Sequence, residues 1–587
     1  MCGIVGYKGN NKAIPVLIAG LKALEYRGYD SSGIAYYSNK NIVLKKCIGS
    51  IDNLEKIVNF NEESNIGIGH TRWATHGKVT ENNAHPHKVN KITLVHNGII
   101  ENYDYLRNLL LEKGYSFKGE TDSEVLCAYI DYKYKDLKDI LKTLSEVQKD
   151  IIGSYAICLL CEDEPNTLYA MRYNSPLIVA CKDNEYYLAS DVPAIIDYTN
   201  KYYLLDQKEI VKISDKLEFY NANLDILNKN VVTYDRFTKD SGKGSYKHFM
   251  LKEIHENPEI VKRIIDYYLT DGKFNGKMPS FKKYNKIYIV GCGSASYTGK
   301  IAKFLYEEYL NIPVEVFLAS EYRYQKLFYD KNTLVIFISQ SGETADTLEA
   351  LRRTKEDRID TLAIVNAPNS SIGRLADITL DIRAGAEVAV ATTKAFTGQL
   401  LLLVLILIKM ANKEDKIKYF YLLETEMRNI LARDYLKYAE KVFSKDKAFF
   451  IGRGIDYGIC EEGSLKLKEI SYINASAFPA GELKHGTISL IENETPVIGI
   501  ISDENLASKT ISNLKEVKAR GAYVLCITSL NLEGDFYDDI IKLSDIDKFV
   551  NSSLIVIVLQ LIAYYVADLK GESIDKPRNL AKSVTVE

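Results

Sequence analysis

Cys2 is the first side chain that could act as a nucleophile, and removal of Met1 would put its thiol and a free α-amino group on one residue. An α-amino group titrates near pKa ~7.7–8.0, so it can take the thiol proton at neutral pH without a histidine partner. Far down the chain, Lys466 and Glu469 stand three apart in an apolar-periodic stretch. On a helix that spacing puts an amine and a carboxylate on one face, which suits proton transfer between adjacent carbons, although such pairs are commonly solvated ion pairs. Between them lies Ser339-Gln340-Ser341-Gly342-Glu343-Thr344, directly after the apolar run Leu334–Ile338 and before a helical pattern from Ala345 to Arg353. Hydroxyls and free N–H groups converging on a helix N-terminus suit a phosphate, and the same residues can also merely cap the helix.

Five of the eight histidines fall between His70 and His96, including His85-Pro86-His87, but no cysteine or carboxylate accompanies them at ligand spacing, so no metal site is expected. Cys158 and Cys161 have CxxC spacing inside a continuous apolar run, which reads as a buried strand rather than a redox pair.

The elements that must carry these groups differ between the two parts of the chain. Residues 1 to about 225 hold many short β-rich runs with helical stretches between them, which predicts an α+β domain with mostly antiparallel pairing. A polar, glycine-containing stretch at 232–246 reads as an exposed connector. Beyond Pro279, apolar runs ending in Gly or Ser alternate with amphipathic helical patterns, the mark of βαβ units and a parallel sheet. That pattern occurs twice. The run 287–293 matches 448–454, and 333–338 matches 495–500, at offsets of 161 and 162. The copies part where chemistry would sit, since Ser339-Gln340-Ser341-Gly342 aligns with Ile501-Ser502-Asp503-Glu504 and only the first is ready to hold an anion.

With 587 residues the chain needs three or more cores, and 75 basic against 78 acidic residues leave no field that would draw it to nucleic acid or an anionic membrane. The nine cysteines are scattered and odd in number, as expected of reduced thiols in a cytoplasm. The start has no secretory pattern, and the apolar runs Leu400–Ile408 and Ser553–Ala567, the latter broken by Gln560, are short against the ~20 residues a membrane span needs. Both read as buried helix.

The order Cys2-Gly3-Ile4-Val5-Gly6, Arg27-Gly28-Tyr29-Asp30-Ser31, Gly69-His70-Thr71-Arg72-Trp73-Ala74-Thr75-His76-Gly77, His96-Asn97-Gly98 and Gly119-Glu120-Thr121-Asp122-Ser123 resembles the class II, N-terminal-nucleophile glutamine amidotransferases over roughly the first 220 residues. SQSGET and the loop Gly291-Cys292-Gly293-Ser294 resemble the sugar isomerase (SIS) fold. The segments Ser464–Tyr472, Gly481–Gly486 and Pro577–Glu587 narrow the resemblance to the isomerising amidotransferases that make glucosamine 6-phosphate from fructose 6-phosphate and glutamine, and it covers essentially the whole chain.

The fold implied is an α+β N-terminal-nucleophile glutaminase domain of stacked antiparallel sheets with helices at 2–225. A linker at 226–246 leads to two flavodoxin-like α/β SIS domains with parallel sheets at 278–417 and 439–577, and a catalytic tail follows at 578–587. By matching motif, Cys2 is the nucleophile, Asn97 and Gly98 hold the oxyanion, Arg72 and Asp122 take the charged ends of glutamine, and Thr75 and His76 make its other contacts. Trp73 gates an ammonia path. Glu469 moves a proton between C1 and C2 beside Lys466, His485 opens the furanose, and Lys582 forms a Schiff base with the open ketose. Cys292, Gly293, Ser294, Ser339, Gln340, Ser341 and Thr344 surround the phosphate, while Val390, Thr392 and Ala581 belong to the sugar site.

Two departures from the family pattern are visible, Asn257 for the usual Gln and Cys-Gly-Ser-Ala at 292–295 where Thr is common after the Gly. No metal or organic cofactor is implied, because the chain supplies the imine-forming lysine itself. Expected partners are fructose 6-phosphate, glutamine and a second copy in a homodimer, with no nucleic acid and no membrane. The rival readings are an amidotransferase for another ketose phosphate, a deglycase, and a binding-only sugar-phosphate sensor, which would not need Cys2, Asn97, Glu469 and Lys582 together.

Overall fold

The computed structural model describes residues 2–25, 28–39, 41–73, 77–234 and 242–585. Its chain contacts divide it into two compact units, residues 1–236 with 581–587, and residues 237–580.

In the first unit the described residues form antiparallel sheets of eight and seven strands. Period-two alternation sorts each strand between two cores. From Gly3–Lys8, Ile4 enters the layer between the sheets while Val5 and Tyr7 pack outward against the helix Ala13–Leu24. From Ile92–Ile100, Val95 faces the inter-sheet layer while Ile92 and Leu94 face the helices Asp122–Leu137 and Ile140–Asp150. The result is a helix–sheet–sheet–helix stack, as expected for the first part of the chain. Cys158 and Cys161 lie fully buried as free thiols on the strand Gly153–Cys161. Ordered pairing continues to Ile226–Leu227 and Val232–Thr233, which add short edge strands.

The second unit contains two parallel five-stranded sheets. The first runs in the order Val314–Leu318, Lys286–Gly291, Thr333–Ser339, Asp360–Val365, Ile378–Asp381, and the second repeats it with Asn474–Pro479, Lys447–Gly452, Pro496–Ile501, Tyr523–Thr528, Asp539–Lys542. Each is the doubly wound order 2-1-3-4-5, whose ligand crevice opens beyond the C-terminal ends of strands 1 and 3, where successive connections leave on opposite faces. Strand 1 of the first copy ends in the Cys292 loop and strand 3 ends in Ser339. The repeat inferred from the offsets is therefore a repeat of topology.

Leu400–Ile408 lies within the buried helix Lys394–Met410. Ser553–Ala567 lies within a helix longer than expected, Lys548–Lys570, whose 23 residues are long and apolar enough to cross a membrane, but 94% of its apolar window is buried inside the protein. Gln560 does not interrupt it, because its Nε2 donates to Thr393 O at 3.3 Å in the interior.

Candidate active site

Strand register brings the first group of residues together. Gly3 lies opposite Thr71 and Ile4 opposite His70, so Cys2 arrives beside Arg72 and Trp73 at the end of that pair. The Trp73 N–H donates to Cys2 Sγ at 3.1 Å, and the thiol lies 3.6 Å from Trp73 O. Burial pushes the Cys2 thiol above its ordinary value, opposed by the Trp73 N–H and the Arg72 charge, so the nucleophile needs a base. Asn97 Nδ2 donates to Cys2 O at 3.2 Å. Gly98 follows at φ 126°, where a Cβ would come 2.0 Å from Ser154 O, so only glycine lets the two strands close here.

Asp122 opens the helix Asp122–Leu137. Thr121 caps that helix by accepting from Glu124 N at 3.1 Å, and Glu124 in turn accepts from Lys118 N and Gly119 N at 2.9 and 2.7 Å. The Thr121 cap and the Glu124 carboxylate together hold the turn before the helix, and the helix N-terminus favours the Asp122 carboxylate. Arg72, 3% exposed, donates to Gly77 O and Lys78 O at 3.3 and 3.4 Å. Cys2, Arg72, Trp73, Asn97, Gly98 and Asp122 line one cavity of about 140 Å³, together with Ala581, Ser583, Val584 and Thr585 of the C-terminal tail. A nucleophile, an amide donor and two opposite charges around one cavity can bind and cleave an amino-acid carboxamide. Thr75 and His76 lie outside the described residues.

The histidines of this region build a buried stack instead of a ligand set. His85 stacks on His70 with centroids 4.0 Å apart and meets His87 edge-on at 4.7 Å. His87 Nε2 bonds Thr121 Oγ1 at 3.1 Å, and His96 Nδ1 bonds Ser123 Oγ at 2.9 Å. Burial depresses His70 to about 3 and holds His85 and His87 well below the ordinary imidazole value, so all three are neutral.

In the second unit the SQSGET loop is held by its own side chains. Ser339 Oγ lies 2.9 Å from Thr344 Oγ1 and accepts from Gly342 N at 3.0 Å, and Ser341 Oγ accepts from Glu343 N at 3.1 Å. Thr344 is the N-cap of the helix Ala345–Glu356 but makes no capping hydrogen bond, which leaves that helix end able to receive an anion. On the neighbouring strand end, Gly293 sits at φ 53°, ψ −128°, a conformation that only glycine adopts readily, and starts the helix Ser294–Leu310. Cys292 Sγ lies 3.8 Å from Thr347 Oγ1, which brings the Cys292 loop against the first turn of the helix Ala345–Glu356.

The helix Ile455–Ser471 packs against Ser294–Leu310 and carries the charged residues. Lys466 is 1% exposed, so the surface ion pair that its spacing also allowed is not what forms. Its ammonium donates to Glu469 Oε2 at 2.6 Å and lies 3.6 Å from Glu462, which has no exposure. One ammonium thus serves two carboxylates. Burial opposes the charge on Lys466, but Glu462 and Glu469 outweigh it and hold the group above its ordinary value. Glu462, beside Ser294 with neither oxygen closely hydrogen-bonded, is pushed up to about 7 by desolvation. Sequence reasoning missed Glu462, although its i,i+4 spacing to Lys466 marks the same helix face.

The loop 387–394 that carries Val390 and Thr392 is pinned at several points. Glu387 accepts from Thr393 N and Ala395 N at 3.0 Å each, Glu253 accepts from Val388 N and Ala389 N, and Val390 N donates to Asp575 O at 3.0 Å. Asn257 is buried and its Nδ2 donates to Ile254 O at 2.7 Å, so the departure there joins the start of the helix Asn257–Tyr268 to the end of the preceding helix Phe249–His255. His485 stands exposed between the short helices Glu482–Lys484 and Thr487–Leu490. Lys582 is half-buried in the tail, which groups with the first unit from Ala581 onward.

Known proteins resemble the chain in both parts. A family profile described as a glutamine amidotransferase domain matches residues 70–197, and one described as a SIS domain matches 280–409 and 441–567. Proteins named glutamine–fructose-6-phosphate aminotransferase (isomerizing) from Caldanaerobacter subterraneus subsp. tengcongensis and Clostridium tetani are each 45% identical, over 100% of both chains. A solved C-terminal domain of glucosamine-fructose-6-phosphate aminotransferase from Francisella tularensis is 37% identical, with TM-score 0.53, over 57% of this chain and 100% of that one.

Proposed function

This chain belongs to the isomerising glutamine–fructose-6-phosphate aminotransferases, and from that membership we infer how its residues divide the work. It is an enzyme that converts D-fructose 6-phosphate and L-glutamine to D-glucosamine 6-phosphate and L-glutamate by glutamine hydrolysis, ammonia transfer and ketose–aldose isomerisation, in hexosamine synthesis.

In the proposed division, glutamine lies between Arg72 and Asp122, with Thr75 and His76 as further contacts. The Cys2 thiol gives its proton to the α-amino group and attacks the carboxamide carbon. The new C–S bond leaves an oxyanion for Asn97 Nδ2 and Gly98 N–H, the C–N bond then breaks to release ammonia past Trp73, and water hydrolyses the thioester to glutamate. The phosphate of fructose 6-phosphate lies against Cys292–Ser294, Ser339–Ser341 and Thr344, with Val390, Thr392 and Ala581 around the sugar. His485 opens the ring, Lys582 forms the imine at C2 with loss of water, ammonia displaces the lysine amine to leave the free C2 imine, and Glu469, held by Lys466, moves a proton between C1 and C2 to give the 2-amino aldose. The domain bounds expected from the sequence and a cytoplasmic homodimer belong to the same reading. So does the absence of any partner beyond small molecules and a second copy.

The observation that carries this division is the Lys466–Glu469 pair at 2.6 Å, whose ammonium also faces Glu462 beside Ser294, which sets an acid–base group near the loop suited to phosphate. The test incubates the pure chain with glutamine and fructose 6-phosphate, with each omitted in turn, and identifies the amino sugar. Borohydride added with fructose 6-phosphate is expected to leave the sugar on Lys582. An adduct on Lys466 would overturn the division of roles.

A further inference from the structure

The strand Ile66–Arg72 places Ile66, Ile68 and His70 on one face by period-two alternation, and Ile92–Ile100 does the same for Val95 and Asn97. Ile66, Ile68 and Val95 belong to the apolar layer between the two sheets, so His70 and Asn97 are its polar end and meet there. His70 Nε2 lies 2.9 Å from Asn97 Oδ1 and 3.0 Å from His96 O. A backbone carbonyl only accepts, so Nε2 must carry the hydrogen. His70 has no exposure, burial keeps it neutral, and its Nδ1 has no hydrogen-bond partner among the described residues, all of which agree with a single proton on Nε2. A donor at Nε2 leaves Asn97 one favourable orientation, oxygen toward His70 and Nδ2 toward Cys2, where Nδ2 already donates to Cys2 O at 3.2 Å. A flipped amide would set two donors against each other.

We propose that His70 is a positioning residue for glutamine cleavage: its Nε2–H locks the Asn97 carboxamide so that Nδ2 faces the oxyanion formed at Cys2. His70 touches neither substrate nor nucleophile and acts through Asn97. The proposal rests on Asn97 being an oxyanion donor, as in the function proposed above. Losing such a donor costs about 10²–10³ in kcat, so losing the group that aims it costs up to that amount.

The test uses the full chain and glutamine hydrolysis. His70→Phe keeps a ring against His85 and removes the donor, and His70→Gln keeps an N–H near the position of Nε2. Expected are a fall in kcat of about tenfold or more for His70→Phe with KM within about threefold, substantial recovery in His70→Gln, and an unchanged rate of Cys2 alkylation by iodoacetamide, which needs no oxyanion donor. In an Asn97→Ala background, His70→Phe is expected to cost less than about threefold further. A full multiplicative loss in that background, or no difference between the Phe and Gln variants, overturns the proposal. Should His70→Phe fail to fold, ¹⁵N spectra of the unmodified enzyme decide, because a proton found on Nδ1 of His70 excludes the lock. A harmless Asn97→Ala would instead remove the oxyanion assignment itself, and the two failures are therefore distinguishable.

Discussion

Replacing Lys466 by methionine removes a cation that sits beside two carboxylates, one of which, Glu462, is wholly buried 3.6 Å away. At an effective dielectric constant of about 20, a charge pair at that distance is worth roughly 4–5 kcal/mol. Glu462 can escape part of this loss by taking up a proton. With its pKa already near 7 against an ordinary 4.5, holding it protonated in the fold at neutral pH costs about 3–4 kcal/mol relative to the unfolded chain. Wild-type Glu462 already bears most of that cost near neutral pH, so protonation limits the variant's deficit to about 1–2 kcal/mol at pH 8, less than the 3–5 kcal/mol typical of a buried pair broken with the remaining charge kept. Lys466→Met is therefore expected to lower the melting temperature of the second unit by on the order of 2–4 °C at pH 8. The sign with pH follows from the raised folded-state pKa of Glu462. Its favourable contribution is complete below pH ~4.5 and is lost as pH rises through its folded value, which Lys466→Met raises further, so the deficit shrinks by about 1.4 kcal/mol per unit only down to about pH 7 and is flat from there toward pH 5.5, where Glu462 is protonated in both proteins. Adding Glu462→Gln should restore more than half of the stability at pH 8 and none of the isomerisation. Calorimetric scans of the wild-type, single and double variants at both pH values check this. A deficit independent of pH, or a double variant no more stable than Lys466→Met, would refute the shared-ammonium account.

Cys2→Ala is expected to abolish glutamine hydrolysis and glutamine-dependent synthesis, with fructose 6-phosphate isomerisation retained, as separate assays of the two reactions will show. Ser341→Ala with Thr344→Val should raise the KM for fructose 6-phosphate by about tenfold or more and leave sugar-free glutamine hydrolysis intact, since hydrogen bonds to a charged group are worth about 1.5–3 kcal/mol each. The buried neutral histidines His70, His85 and His87 have folded-state values below the ordinary one. Their contribution is therefore complete above pH ~6.5 and falls with acid, by up to about 1.4 kcal/mol per unit for each, so the glutaminase unit should melt earlier at pH 5 than at pH 7. An unchanged transition for that unit in scanning calorimetry would count against their burial.

Local motifs were readable because their chemistry is local. The strand–SQSGET–helix turn and the 161-residue offset depend on residues close in sequence or on a repeat, and both appear in the fold. What the sequence left open depends on partners from elsewhere. Lys466 and Glu469 could have been a solvated pair, and their burial comes from packing against the helix Ser294–Leu310 of the other copy. His70 carries no local mark of its bond to Asn97, which arises from two strands in different sheets. Gln560 read as an interruption because its partner, Thr393 O, lies 167 residues away.

The duplication also explains why one copy alone is left open to an anion. Gly454 repeats the backbone of Gly293, at φ 57°, ψ −126° against φ 53°, ψ −128°, so both copies build the same turn at the same crevice. In the second copy the chain fills that crevice with its own carboxylates. Asp456 accepts from Ser502 N at 2.9 Å and from Ser502 Oγ, and Asp503 caps the following helix by accepting from Asn505 N at 2.9 Å. Burial raises Asp456 to about 6, which still leaves it mostly ionised at neutral pH. A fixed internal anion at the end of strand 3 satisfies the donors that the first copy keeps for a ligand, and a phosphate arriving there would meet negative charge. The divergence of Ser339–Gly342 from Ile501–Glu504 is thus a substitution of an internal anion for an external one. The first copy, whose Thr344 leaves its helix end uncapped, is the one that can exchange its anion with solution.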